Sequence, residues 1–175
     1  MLHNSNQKSK TYINITFFNE IMKYLNKAVA SVLVKENEDL EEIKTALECL
    51  IPLDLEKEKI PVKRQTAKGF EDKKIVILKI ELEKARHTNT LIKDLLNKLT
   101  KGQKALLLDQ AESRLDNHQH FFIRLDKEKL LKEGRYEITD KGNCFHIKLH
   151  IAAFPSKRQE ALKVIEKLLK EQRER

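Results

Sequence analysis

Four of the six histidines, His118, His120, His146 and His150, fall in two short stretches, and imidazoles in such numbers raise the question of a metal site. A metal site needs its ring nitrogens to converge to about 2 Å from a common ion, with further partners fixing each ring. Spacing along separate strands does not supply that, so no metal is expected. Cys49 and Cys144 are far apart and in no Cys-x-x-Cys spacing, which argues against both a disulfide framework and a cysteine zinc site. Ser31, Ser113 and Ser156 lie outside any nucleophile elbow, and there is no glycine-rich phosphate loop or dinucleotide fingerprint. The carboxylate pairs Asp109/Glu112 and Glu81/Glu83 read as solvated charge. The expectation is a protein that is not an enzyme and uses no cofactor.

What remains is the chemistry of charge and stacking, at three places. Lys157 and Arg158 follow Pro155, where a helix begins, and the backbone N–H groups of a helix start together with two cations suit a phosphate. Two solvated surface cations are the alternative. Alternation then puts His120, Phe122, Arg124, His146, Lys148 and His150 on one face of a sheet, with Lys79 as a neighbour. Cations for phosphates and a flat ring for bases are what recognition of single-stranded or irregular RNA requires. A solvated outer face, or one covered by a further element, is the alternative. The stretch KRQTAKGFEDKK, with Lys63, Arg64 and Lys68, reads as a basic loop that either closes over a nucleic-acid backbone or is simply solvated.

The elements that must position these residues follow from hydrophobic period. Residues 28–35 form a β-branched strand. A helix capped by Asn37 follows, with Leu40, Ile43, Leu47 and Leu50 on its core face, ending at Pro52. A short strand is expected at 53–62, before the basic loop, and a long one at 75–82. Two helices come next, one with Leu91, Ile92, Leu95, Leu96 and Leu99, the other opened by a Thr100/Gln103 capping box and carrying Leu107, Leu108, Ala111 and Leu115. Residues 120–125 form a strand, and Asp126 caps a short helix. Residues 135–139 and 143–152 pair as a hairpin, and a capping box of Ser156 and Gln159 opens the final helix. This is an α+β order: one domain at 28–175, an antiparallel or mixed sheet with helices on one face, and residues 1–27 as a loosely ordered extension.

With 175 residues, 40% hydrophobic and 35% charged, the chain can bury one ordinary core. Its net charge of +8 favours a polyanionic partner. No apolar run is long enough for a membrane span and the N-terminus does not read as a secretory signal, so a reducing cytoplasm is the expected setting.

The strand AVASVLVK with its acidic-started helix ending in ECLIP, the turn SRLDNHQH, the segment FFIRLDKEKLLKEG and above all IAAFPSKRQEALKVI resemble a family of small archaeal proteins described as predicted RNA-binding or exosome-associated subunits. The resemblance covers nearly all of the chain after residue 27. It implies an α+β fold like that of the large-subunit ribosomal protein that binds 5S RNA. It carries over Arg124, Asp126 and Lys127, and Pro155, Lys157 and Arg158, as motif positions. The family's turn before the long strand is only partly kept, as Gly69 within AKGFEDKK. Together these readings point to a non-enzymatic RNA-binding protein, an accessory in RNA processing or ribosome assembly. A subunit of a multiprotein RNA-processing complex that meets an acidic protein partner, with incidental RNA contact, is the alternative.

Overall fold

In the computed structural model, residues 23–68 and 74–171 are described. Five strands, β1 (Leu25–Val34), β2 (Lys63–Lys68), β3 (Lys74–Leu82), β4 (His120–Asp126) and β5 (Cys144–Ile151), form one sheet in the order β2-β3-β1-β5-β4, with every neighbouring pair antiparallel. The helices are α1 (Leu40–Cys49), α2 (Ala85–Lys98), α3 (Lys101–Asp109), α4 (Ala111–Arg114), α5 (Lys127–Glu133) and α6 (Arg158–Glu171). The class is α+β, as the order of periods implies.

Strict alternation sends Ala28, Ala30 and Val32 of β1, Leu78, Ile80 and Leu82 of β3, Phe121, Ile123 and Leu125 of β4, and Phe145, Ile147 and Leu149 of β5 to one face. The helices cover it: α1 and α2 lie against β1, α6 against β5, and α3 and α4 against α6. Ile43 and Leu47, Leu91, Ile92, Leu95 and Leu96, and Ala161, Ile165, Leu168 and Leu169 fill the space between. Because apolar burial supplies the main driving force, this one contiguous core fixes the orientation of the sheet. The opposite face is left to solvent by every helix among the described residues.

Several local expectations need correction. Asp39, not Asn37, caps α1, its Oδ1 accepting from the N–H groups of Glu41 (2.9 Å) and Glu42 (3.0 Å). The helix ends at Cys49, short of Pro52. Residues 53–62 are turns and coil rather than a strand, with Leu53, Leu55, Ile60 and Val62 packed as a plug on the core. Glu58 pins this plug to α2 through Arg86 and through His87 Nε2 (3.0 Å). The Arg86 guanidinium, with His87 adding to it, pulls the Glu58 carboxyl down to about 2. Part of the basic loop is instead the edge strand β2, while residues 69–73, Gly69 and Lys73 among them, lie outside the described residues.

The Thr100/Gln103 capping box is present, but the helix it opens breaks at Gln110, whose side chain accepts two bonds from Arg114. Residues 135–139 form no strand and contribute one bridge, Ile138 to Leu125. Both edges of β5 are already taken by β1 and β4, so the expected hairpin has no free partner. The domain also begins earlier than residue 28: Tyr24 and Leu25 are core, and residues 1–22 of the expected extension lie outside the described residues.

Candidate nucleic-acid interface

The sheet register assembles the open face row by row. His120, His150 and Lys27 lie side by side across β4, β5 and β1; Phe122, Lys148, Val29 and Glu81 form the next row; Arg124, His146, Ser31, Lys79 and Lys63 form the third. Most of these residues line an open groove of about 590 Å³.

The two halves of the groove differ. On β4 and β5 the rings make a platform in which one pair is stacked, while His120 is tilted by 60° to His150 and by 54° to Phe122. Phe122 and His146 stack with centroids 5.4 Å apart at 27°, His120 meets His150 at 5.1 Å, and His120 lies 6.3 Å from Phe122. Partial burial, with Arg124 and Lys148 adding to it, pushes the His146 imidazole below its ordinary value. His150 is lowered likewise, by burial first and then by its histidine neighbour. Both rings are therefore neutral near pH 7. Arg124 and Lys148 flank the Phe122/His146 stack, and neither makes a salt bridge with a described residue.

On β1 and β3 the charge is organised by Glu81. Its carboxylate receives Lys27 (2.9 Å), Lys79 (2.8 Å) and Lys63 (3.2 Å), and those ammonium groups, Lys27 foremost, pull its carboxyl down to about 2. Lys27 also reaches Glu83 at 2.9 Å. Three ammonium groups around one carboxylate in a solvent-open groove, with Glu83 on Lys27, leave the cluster a net positive charge that attracts a phosphate.

One end of the platform is fixed by Asp116. Its Oδ1 accepts from the main-chain N–H of His118 (2.8 Å) and of His120 (2.9 Å), while Oδ2 lies 3.0 Å from His120 Nδ1. Burial opposes the charge on Asp116, but these donors outweigh it and hold the carboxyl below its ordinary value. The His120 ring is thereby aimed with Nε2 away from the carboxylate.

The expected site residues thus divide. Phe122, Arg124, Lys148, His150 and Lys63 are brought together on the open face. Arg64 pairs with Leu78 and so lies on the opposite face of the edge strand. Lys68 ends β2, and its side chain is outside the described residues. Arg158 is exposed, but its guanidinium is engaged: it donates to the carbonyls of Leu115 (2.6 Å) and Glu112, tying α6 to the end of α4. Ser156 does not cap α6. Its Oγ accepts from Gln119 Nε2 (2.7 Å), and the first helical carbonyl is that of Lys157, taken by Ala161 N–H. Lys157 itself is exposed and lines no part of the groove. Lys27, Glu81 and Asp116 were not anticipated; the alternation of Lys27, Val29 and Ser31 with the core residues Ala28, Ala30 and Val32 was the available signal for the first.

A family model described as RNA binding matches residues 27–153, from β1 through the end of β5. RNA-binding protein PAB1135 of Pyrococcus abyssi is 24% identical over 136 residues, which is 78% of this chain and 88% of that protein. Among solved structures, protein AF2318 of Archaeglobus fulgidus, a DUF54 protein, superposes with a TM-score of 0.74 at 27% identity, covering 82% of this chain and 99% of that one. Mth689, a DUF54 protein of Methanothermobacter thermautotrophicus, gives 0.66 at 27% identity, covering 83% and 98%.

Proposed function

Since the chain belongs to this RNA-binding family, we propose that it binds RNA on the open face of its sheet, as a non-enzymatic binding protein. The observation that carries this reading is the uncovered sheet face on which Lys148 and Arg124 flank a platform of rings and Lys27, Lys79 and Lys63 converge on one carboxylate. Lys148 and Arg124 take phosphates directly, while the three lysines, net positive around Glu81, attract a further phosphate. The proposal extends to an accessory role in RNA processing or ribosome assembly, exosome association included, for which the sequence resemblance is the support.

The test is a salt titration of binding to a labelled RNA strand. With roughly three phosphates neutralised, log Kd against log salt should rise with a slope of about 2. An affinity insensitive to salt would refute a phosphate-gripping face.

A further inference from the structure

The rings of the face are confined to two strands, with Arg124 and Lys148 among them, and that placement says which form of RNA fits. The platform of His120, Phe122, His146 and His150 occupies β4 and β5, while the lysine cluster occupies β1, β2 and β3. A phosphate-only reader has no use for a row of half-buried rings, whose exposed apolar surface is useful only against another flat surface. In a duplex the base faces are stacked against one another inside the helix, so a sheet face meets only phosphates, sugars and base edges. In an unpaired strand the faces are free to stack on protein rings.

Resting on the reading above, we propose that the face is specific for single-stranded RNA. At least two bases lie on β4 and β5, one on the Phe122/His146 stack and one against a single ring of the tilted His120/His150 pair, with the backbone directed toward Lys27, Lys79 and Lys63. Two ring groups in adjacent rows, with 6.3 Å between the His120 and Phe122 centroids, give neighbouring seats rather than a single slot. Stacking tolerates any base, so sequence preference is weak and the discrimination is between unpaired and paired RNA.

The test uses the full chain and three labelled probes: an unstructured RNA strand, the same strand annealed to its complement, and a strand of equal length with abasic sugars. The unpaired strand should bind at least about tenfold tighter than either of the others, since base stacking is lost in both. Phe122→Ala should weaken binding of the unpaired strand roughly tenfold and leave the duplex unchanged, while Phe122→Tyr, which keeps the ring, should retain the preference. Equal affinity for all three probes would overturn the proposal without any variant having to fold. If those affinities are equal yet fall together on reversing Lys148 and Arg124, the face binds RNA but does not select unpaired strands. If reversal changes none of them, the reading of the face fails as well.

Discussion

The double variant Lys148→Glu with Arg124→Glu is expected to lower RNA affinity by about a hundredfold or more. Each side chain is free to offer a charge-assisted bond to phosphate, and bonds to charged groups contribute about 1.5 kcal/mol at the low end, so losing two costs about 3 kcal/mol, or two decades in Kd. Reversal adds repulsion to that loss. The salt slope should fall by about 1.4, the share of two phosphates on a single strand. Both residues project from the solvent side of β4 and β5 and neither makes an ion pair with a described residue, so the thermal midpoint should barely move. The readout is a titration at several salt concentrations alongside a melting curve. Unchanged affinity in the folded variant would remove both residues from the site.

The largest stability effect is expected at Lys127. Only 2% of this residue is exposed, yet its Nζ donates to Leu33 O (2.6 Å) and to both carboxylate oxygens of Glu38 (3.0 and 2.9 Å). The ammonium clamps α5 to the end of β1 and the turn before α1. Lys127→Ala strips the carboxylate and the Leu33 carbonyl of their donor, and because Glu38 is only partly buried the cost sits at the low end for a broken buried pair, about 3 kcal/mol. For a domain of this size that lowers the melting temperature by roughly 10 °C. Removing both charges as Lys127→Met with Glu38→Gln should recover part of the loss, because no ion is then left unpaired.

The same pair sets an acid limit. Burial opposes the charge on Glu38, but the Lys35 N–H and the Lys127 ammonium outweigh it and keep its folded pKa below the ordinary value of 4.5. Its contribution to stability is therefore complete above about pH 4.5 and declines as pH falls through the depressed value. Glu38→Gln should flatten that acid decline. A melting temperature within 2 °C of wild type for Lys127→Ala, to within roughly 1 kcal/mol, would show that the clamp contributes little.

The strands of the interface were legible because one side of each is core and the other is not. Phe121, Ile123 and Leu125 against His120, Phe122 and Arg124, and the matching pattern in β5, announce both the strands and the face each side chain takes. The edge strand β2 was invisible for the opposite reason: residues 63–66 are all exposed, so no apolar period marks them, and main-chain pairing to β3 alone makes the strand. Residues 135–139 showed the converse error, since β-forming composition creates no strand where the neighbouring strand has both edges occupied. The Glu81 cluster depends on register: Val29 opposite Glu81 and Ser31 opposite Lys79 bring Lys27, Lys63 and Lys79 onto one carboxylate, and no local pattern encodes that pairing. From sequence, Arg158 reads as a phosphate-binding cation at a helix start. Its partners turned out to be carbonyls 43 and 46 residues upstream, which only the packing of α6 on α4 reveals.

The most direct measurement is photo-crosslinking of the full chain to a single RNA strand carrying 4-thiouridine, with the joined residues mapped by mass spectrometry. Crosslinks should concentrate on β4 and β5, at Phe122, His146 and His150. Crosslinks confined to the helical side of the sheet, on α2 or α6, would contradict the assignment of the open face as the RNA surface.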